Sequence, residues 1–529
     1  MNIYLVGMVI SFILYLVISF FISRGVKDAN DFYVAGRNAP MPLIVGSMIA
    51  SYVSTGMFMG DAGEYYGGLF SPMTILATMQ VVGYIIGAVF FGRYLRRSKV
   101  MTIPEFFGQR FCSEKIRKLA TITAIITMTV YLLSVVQGVG TLMHVVTGVD
   151  YNICIVVAVL VFSIVTVASG SRGVLITDTV MFSVFTIALI ISVFVITGKV
   201  GGWHSVIEQL NHFETENLLA WSGNLDYMYP TGIENVIWGV VYGIVWMSVC
   251  MVGPWQSSRY LMAKSEHTVV RSSLFSAFGI FALQLMAGMA AVTVNLYHPE
   301  MESASHVLIW AAMNVLPTAL GVILLTGVLA AGISSATTFL SLIGSSVAND
   351  IYCAKKNSKN SIRVGRLAMI VASIAVLLLA VFNPPQILWI MYFGGAIVAS
   401  AWMPVALASV LSKRITKAGA FSGMLAGFLG CFALKLCTNL LNVTLPAVLD
   451  SVIVGIVLNI IGIVIGSALT QVTDEEQRAR AKLFVIPEEE KGQKEWKKTL
   501  AYMKFVPVLG IAVFLILLFA WVIPYAMTS

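Results

Sequence analysis

The sequence of residues 46–60 is GSMIASYVSTGMFMG, a run in which small and hydroxyl-bearing side chains interrupt an apolar segment. Such a composition weakens a helix in the middle of a membrane span. An unwound backbone frees its carbonyl oxygens, which can then coordinate a cation near the bilayer midplane. Small residues also let two helices approach closely, so this stretch alone fits a cation site and a tight helix–helix contact about equally well.

The chain around this stretch has the composition of a protein whose solvent is lipid. Its 529 residues are 58% hydrophobic and 11% charged, whereas a soluble protein of this length carries about 25% charge. A membrane helix needs roughly 20 apolar residues, and on that criterion the sequence predicts an all-α polytopic membrane protein with fourteen spans. Their expected ranges are 3–23, 41–67, 70–92, 119–146, 151–170, 174–198, 233–253, 271–297, 317–350, 366–383, 386–412, 418–440, 446–470 and 504–525.

Several other protein classes are disfavoured by what the sequence contains. The apolar run 1–23 has no basic segment before it and no small-residue cleavage site after it, so we expect a retained first span rather than a signal peptide. The six cysteines show no CxxC spacing and the six histidines no HExxH pairing, and no phosphate-binding glycine loop is present. We therefore expect neither a zinc centre, a disulfide framework nor an enzyme.

The distribution of basic residues predicts the orientation. Of the 33 lysines and arginines, 31 fall on one side of the predicted bundle, and only Lys199 and Lys435 do not. Under the positive-inside rule that side is cytoplasmic, so both termini are expected outside the plasma (inner) membrane. This sorting also argues against nucleic-acid binding as the reason for the net charge of +8. The acidic segment 199–232 then becomes an outer loop, and the charged stretch 474–498 a cytoplasmic linker.

The ninth predicted span favours the cation-site interpretation of the second. Residues 330–338 read AAGISSATT, with four hydroxyl groups in five residues. A hard cation such as sodium is expected to prefer oxygen ligands, and Ser334 and Ser335, with the carbonyl of Ala331 one turn earlier, offer them without net charge. The alternative is that these hydroxyls bond back to their own helix.

These two segments resemble the sodium-site helices of the sodium:solute symporter family, which includes the sodium/glucose, proline and pantothenate carriers. The resemblance continues in SGSRGVLITD at 169–178, in GPWQSSRYLMA at 253–263 and in ANDIY at 348–352. It implies a single transmembrane transporter domain over 1–529, with a LeuT-like core of two inverted five-helix repeats at about 41–198 and 233–412. The helices 3–23, 418–440, 446–470 and 504–525 would be peripheral.

The resemblance also implies two sodium sites. The main site would use the carbonyls of Ala50, Val53 and Ala331 and the hydroxyls of Ser334 and Ser335. A second site, present in some members, would use Asp178, Thr337 and Thr338. An acid within a span is a functional candidate by default, although Asp178 lies only about one turn from the expected cytoplasmic end of its span, where it could be merely interfacial.

The expected solute-binding residues are Ser54, Met57 and Trp246. Sugar-carrying members have a glutamine at the position of Met57 and an acid early in the third span, and this chain has neither, which makes a sugar an unfavourable solute. The aspartate of the proline carrier is replaced by Tyr52, while PPQILWIMYFGG at 384–395 resembles the pantothenate carrier. Asp61 and Glu64 could line an outer vestibule that attracts a cationic or zwitterionic solute, or could bond to their neighbours.

The sequence therefore predicts a sodium-coupled symporter that imports a small, carboxylate-bearing organic solute, such as pantothenate, a monocarboxylate or an amino acid, by alternating access. A carrier of a cationic or zwitterionic amine and a transporter-like membrane sensor are the alternatives. Sodium is the expected coupling ion and the solute the expected partner, with no other cofactor, no nucleic acid and no obligate protein partner. A channel is disfavoured because no repeated filter or charged ring is present.

Overall fold

The computed structural model describes residues 2–23, 28–212, 218–225, 227–352, 359–383 and 385–528. Over these residues the protein is helical, with no strand beyond an isolated bridge between Ala39 and Ala263. Thirteen helices are long and apolar enough to cross a membrane, and one bent pair completes the fourteen predicted spans. The spans are Ile3–Phe21, Met41–Tyr52 with Gly56–Tyr66, Phe70–Ser98, Glu114–Thr147, Tyr151–Ala168, Gly173–Gly198, Gly232–Met262, Glu266–Leu296, Thr318–Ile351, Asn360–Phe382, Ile387–Leu411, Lys417–Leu441, Ser451–Ala468 and Gln493–Thr528.

Shorter helices connect the spans. They are Ala29–Val34, Ile103–Arg110, Trp203–Asn211, Val307–Asn314 and Asp474–Phe484. Parts of two predicted basic loops, at 24–27 and 353–358, lie outside the described residues, as does Pro384 of the segment that resembles the pantothenate carrier.

One end of the bundle, here called the basic end, is defined by Arg37, Arg96, Arg97, Arg110, Arg117 and Arg271. Their side chains make ion pairs and hydrogen bonds that join the loops predicted to lie on one side of the membrane. The guanidinium of Arg97 pairs with Glu266 at 2.6 Å, that of Arg117 with Asp350 at 2.9 Å and that of Arg271 with Glu495 at 2.8 Å. Arg96 Nε donates to the carbonyl of Ala263, and Arg110 Nε to that of Ser409, both at 2.6 Å. These contacts gather the basic loops at one end.

Both described termini lie at the opposite end. Asn2 Nδ2 donates to the carbonyl of Val146 at 2.7 Å, at the far end of the fourth span. Asn211, in the helix after the sixth span, donates through Nδ2 to Thr528 Oγ1 at 2.6 Å. The basic loops and both described termini therefore lie at opposite ends of the bundle.

The second, seventh and eleventh spans are interrupted. The second span leaves the helical conformation at Val53 (φ −68°, ψ 93°), and its two halves differ in direction by 51°. The seventh breaks at Gly253 (φ −56°, ψ 138°), before Pro254, which has no N–H to donate. The eleventh breaks at Trp402, shortly before Pro404. The seventh span therefore extends to Met262, beyond its predicted end at 253.

Gly170 separates the fifth and sixth spans. Its φ of 56° lies in the left-handed region, where a side chain is strained. A Cβ at this position would also lie 2.7 Å from the carbonyl oxygen of Phe32. Both the backbone conformation and the close contact therefore require glycine here.

Glycines on the third span allow the seventh span to approach its backbone. A Cβ on Gly83 would lie 2.4 Å from the carbonyl oxygen of Met247, and one on Gly87 would lie 2.7 Å from Cα of Met251. The most apolar part of the seventh span is 72% buried, whereas that of the last span is only 6% buried. The third and seventh spans thus belong to the packed interior, and the last span faces lipid.

This packing predicts the effect of a larger residue at Gly83. Gly83→Val places methyl groups against rigid backbone and should destabilise the protein by about 1–3 kcal/mol, as overpacking of interiors does. Its melting temperature in detergent should fall. Gly510→Val is the control, because nothing lies within 4 Å of a Cβ on Gly510 in the exposed last span. Equal melting temperatures for the two variants would show that the third and seventh spans do not pack in this way.

Candidate functional site

The break in the second span lies against the ninth span. The helix Met41–Tyr52 ends there, with the amide of Val53 donating to the carbonyl of Ile49 at 2.8 Å. A helix end leaves its last carbonyls without in-helix amides, and Ala50 and Val53 are at this end. A Cβ on Gly332 would lie 3.3 Å from Cγ2 of Thr55, so the ninth span contacts the break beside Ala331. The three backbone positions expected to bind sodium thus lie on two adjoining segments.

The four hydroxyl groups at 334–338 of the ninth span have four different environments. Ser334 Oγ donates to Asp178 Oδ1 at 2.5 Å. Thr337 Oγ1 bonds back to the carbonyl of Ser334 at 2.9 Å, and Thr338 Oγ1 accepts from Arg259 at the same distance. Ser335 Oγ is buried and has no hydrogen-bond partner among the described residues. Of these four hydroxyls, only that of Thr337 therefore bonds back to a carbonyl of its own helix, as the alternative interpretation of this segment expected for all four.

Asp178 is fully buried, so it is not an interfacial acid. Its Oδ2 accepts from Ser47 Oγ at 2.5 Å and from Arg259 Nη2 at 2.9 Å, while Oδ1 accepts from Ser334. The carboxylate therefore connects the second, sixth, seventh and ninth spans. Because both oxygens already have donors, a sodium ion bound here would replace or share at least one of them.

Arg259 is the partner that balances the charge of Asp178. It is 1% exposed and lies within the seventh span. The expectation that it belongs to the basic loops, as one of the 31 residues on that side, is therefore wrong. Its Nε donates to Ser47 Oγ at 2.9 Å and its Nη1 to the carbonyl of Trp255 at 2.6 Å. A buried acid in the sixth span requires a nearby cation, and that requirement was the signal in the sequence that could have assigned Arg259 to the interior.

Trp246 lies in an aromatic cluster beside the break. Its ring meets those of Tyr52 and Tyr131 edge to face, with centroid distances of 5.4 Å and 5.9 Å. Ser54 Oγ lies 3.4 Å from the hydroxyl of Tyr131, so Tyr131 brings Ser54 and Trp246 together. The indole N–H of Trp246 is buried and makes no hydrogen bond of regular geometry among the described residues. A donor without an acceptor in this position is suited to bind an acceptor on a ligand.

The other residues around the cluster are closely packed. Met57, the third expected solute-binding residue, is buried one turn above the break. A Cβ on Gly56 would lie 2.1 Å from Sδ of Met391, so the eleventh span closes over this position. The hydroxyl of Tyr52 accepts from Gln80 Nε2. Gln80 and Tyr131 were not among the expected site residues, because their polar groups give no signal in the pattern of apolar residues.

The chain matches the sodium:solute symporter family over residues 32–427. It is 25% identical to the sodium/proline symporter of Escherichia coli (strain K12) over 457 residues, covering 82% of this chain and 86% of the relative. It is 23% identical to the sodium/pantothenate symporter of Haemophilus influenzae over 448 residues, covering 81% of this chain and 90% of the relative.

Two solved structures share its fold. A Na+-coupled sialic acid symporter, in a substrate-bound outward-open state described as revealing a novel Na+ site, superposes with a TM-score of 0.74 at 17% identity, covering 89% of this chain and 99% of that one. Mhp1, a nucleobase-cation-symport-1 family transporter, superposes with a TM-score of 0.56 at 12% identity, covering 85% and 98%. The predicted LeuT-like membrane fold is thereby confirmed. The boundaries of the two inverted repeats stay a prediction.

The buried ion pair predicts non-additive effects of mutation. Arg259→Gln leaves Asp178 charged without a cation in the interior, and breaking a buried pair in this way costs about 3–5 kcal/mol. Adding Asp178→Asn removes that charge, so the double variant should melt at a higher temperature than Arg259→Gln alone. Melting temperatures of the two single variants and the double variant provide this test. Additive losses of stability would mean that the two side chains are not coupled.

Proposed function

The chain belongs to the sodium:solute symporter family, and from this premise we propose that it imports a small, carboxylate-bearing organic solute together with sodium by alternating access. At the level of the family it is a multi-pass membrane protein that couples solute transport to sodium. The solute class, the ion-binding residues and the orientation are the parts that we propose.

We assign sodium to the break in the second span. The proposed ligands are the carbonyls of Ala50, Val53 and Ala331 and the hydroxyls of Ser334 and Ser335. Support comes from the helix end at Tyr52, which frees carbonyl oxygens, and from the buried Ser335 hydroxyl without a partner. Neutral oxygen ligands suit a hard monovalent cation. The second sodium is proposed at Asp178, Thr337 and Thr338, where it would share the carboxylate with Arg259.

The observation that carries the solute class is the buried indole N–H of Trp246 beside the break, which makes no hydrogen bond of regular geometry among the described residues. The outer half of the second span, Gly56–Tyr66, starts at the same place. The N-terminus of a half-helix carries a partial positive charge and points at anionic substrate groups in transporters of this architecture. A carboxylate would satisfy both features. Ser54 and Met57 would then contact the solute from the second span.

The relatives are consistent with this class of solute. One relative is a sodium/proline symporter and another a sodium/pantothenate symporter, and both proline and pantothenate carry a carboxylate. If sodium and solute bind beside one another at the break, each raises the affinity for the other by the same factor. We propose that the basic end faces the cytoplasm of a plasma membrane, in accordance with the positive-inside rule, and that both termini lie outside.

The sodium site predicts how uptake responds to loss of a hydroxyl. Ser335→Ala, in proteoliposomes, should raise the sodium concentration for half-maximal proline or pantothenate uptake roughly tenfold, because one bond to a charged group contributes about 1.5–3 kcal/mol. Ser334→Ala should act in the same direction. Ser345→Ala is the matched control, because Ser345 is buried in the same helix and bonds back to the carbonyl of Leu342. Unchanged sodium dependence in both Ser334→Ala and Ser335→Ala would remove sodium from this position.

The solute site predicts a separation of two affinities. Trp246→Phe keeps most of the aromatic surface but deletes the N–H donor. Solute affinity should fall roughly tenfold or more, since a hydrogen bond to a charged acceptor is lost, while sodium affinity stays nearly the same. Both affinities and the melting temperature are measured on one preparation. If solute affinity is retained and only stability drops, Trp246 is a packing residue.

A further inference from the structure

Two acids of the second span, Asp61 and Glu64, take no part in the sites described above. Both are buried, with exposures of 2% and 8%. Asp61 accepts from the hydroxyl of Tyr242 at 2.8 Å and from Gln284 Nε2 at 2.9 Å. The sequence left two alternatives for Asp61, which were lining an outer vestibule and bonding to its neighbours. The hydrogen bonds of Asp61 correspond to the second alternative. Neither of its donors is a cation.

Glu64 faces a cavity of about 410 Å³ toward the end of the bundle opposite the basic end. Its Oε2 has no hydrogen-bond partner among the described residues, and neither has Oγ1 of Thr141, which lines the same cavity. A buried carboxyl oxygen and a buried hydroxyl thus face one space without a hydrogen-bond partner among the described residues. The remaining polar walls are Ser303, Ser305, His306 and Gln386, and Met59, Leu388 and Trp389 are among the apolar ones.

Among the described residues, no lysine or arginine lines this cavity. Burial lowers the pKa of His306, which lies in the segment before the ninth span, so its imidazole is neutral at pH 7 and supplies no countercharge. Residues three apart are neighbours on a helix, so Asp61 and Glu64 place two acids in the same low-dielectric region. Such a region favours a positive charge brought by a ligand.

The cavity is larger than a bare metal ion needs and has apolar walls beside its acceptors. The Glu64 carboxylate requires N–H or O–H donors and the Thr141 hydroxyl can accept from one, and a primary or secondary ammonium group provides such donors whereas a quaternary ammonium group does not. The apolar walls suit the carbon skeleton attached to that ammonium group. These features select a small organic amine over sodium.

We propose that this cavity binds the ammonium group of the transported solute, and that the solute is therefore an amino-acid-like zwitterion. The assignment rests on the proposed function, which supplies the carboxylate end. A chain of contacts connects the two positions, because Asp61 lies one turn below Glu64 and its partner Tyr242 touches the ring of Trp246 edge to face, at a centroid distance of 6.3 Å. The ammonium group binds at Glu64 on entry, and the solute then moves along these contacts until its carboxylate reaches the break.

The test measures binding of n-butylammonium chloride, which has the ammonium group but no carboxylate, to the purified full-length protein in potassium chloride buffer. Intrinsic tryptophan fluorescence and melting temperature are the readouts, since Trp389 lines the cavity. We expect saturable binding that is at least tenfold weaker in Glu64→Gln and unchanged in Glu208→Gln, a control at an exposed acid of the helix Trp203–Asn211 that does not line the cavity. Tetramethylammonium, which lacks N–H donors, should bind at least tenfold more weakly than n-butylammonium.

Thr141→Val provides a second variant that keeps the charge of Glu64 and should weaken n-butylammonium binding several-fold. Equal binding by wild type and Glu64→Gln overturns the proposal, as does equal binding of tetramethylammonium. If sodium chloride binds in a Glu64-dependent way and n-butylammonium does not bind, the proposal is overturned in favour of an ion site. If n-butylammonium does not bind, sodium-dependent uptake of a carboxylate-bearing solute can still be measured. If that uptake is absent, binding of n-butylammonium can still be measured. The two proposals are therefore tested separately.

Discussion

The ion pair between Asp178 and Arg259 holds the centre of the bundle together. Two opposite charges in a low-dielectric interior are tolerated only when their remaining hydrogen-bonding groups are also satisfied. Ser47, Ser334 and Thr338 provide that satisfaction, each from a span other than the two that carry the charges. Four spans are therefore fixed to one another at a single point. Any movement that separates these spans must first break or exchange these bonds. An ion that binds to Asp178 and changes these bonds would therefore also affect how the spans move.

The break in the second span is possible because this point is covered by protein. Lipid offers no hydrogen bonds to an unwound backbone, so irregular segments at membrane depth persist only where other helices enclose them. Thr55 at the break contacts the fourth and ninth spans, and Met391 of the eleventh lies over Gly56. The same enclosure that permits the break excludes water from its carbonyls. A cation bound at this position would therefore have strong electrostatic interactions with those carbonyls.

The two ends of the bundle differ in how they are closed. At the basic end, arginines cross between loops and donate to carboxylates and backbone carbonyls, as Arg97 does to Glu266 and Arg96 to Ala263. At the opposite end a cavity reaches the second span, and Glu64 Oε2 and Thr141 Oγ1 face it without a hydrogen-bond partner among the described residues. The described conformation therefore combines arginine contacts across the basic end with a cavity that reaches the second span from the opposite end.

The sequence by itself determined the fourteen spans, their alternation and the family, because hydropathy and charge are local properties that a bilayer sorts residue by residue. It also indicated Asp178 and the hydroxyls of the ninth span as members of one region. It did not show that Arg259 pairs with Asp178, that Thr337 bonds to its own helix, or that Glu64 is left without a donor. These facts depend on side chains from distant segments, such as Arg259 and Asp178, 81 positions apart. Only the packed tertiary structure decided them, because burial removes water as an alternative partner and leaves each polar group with whichever neighbours the helices place beside it.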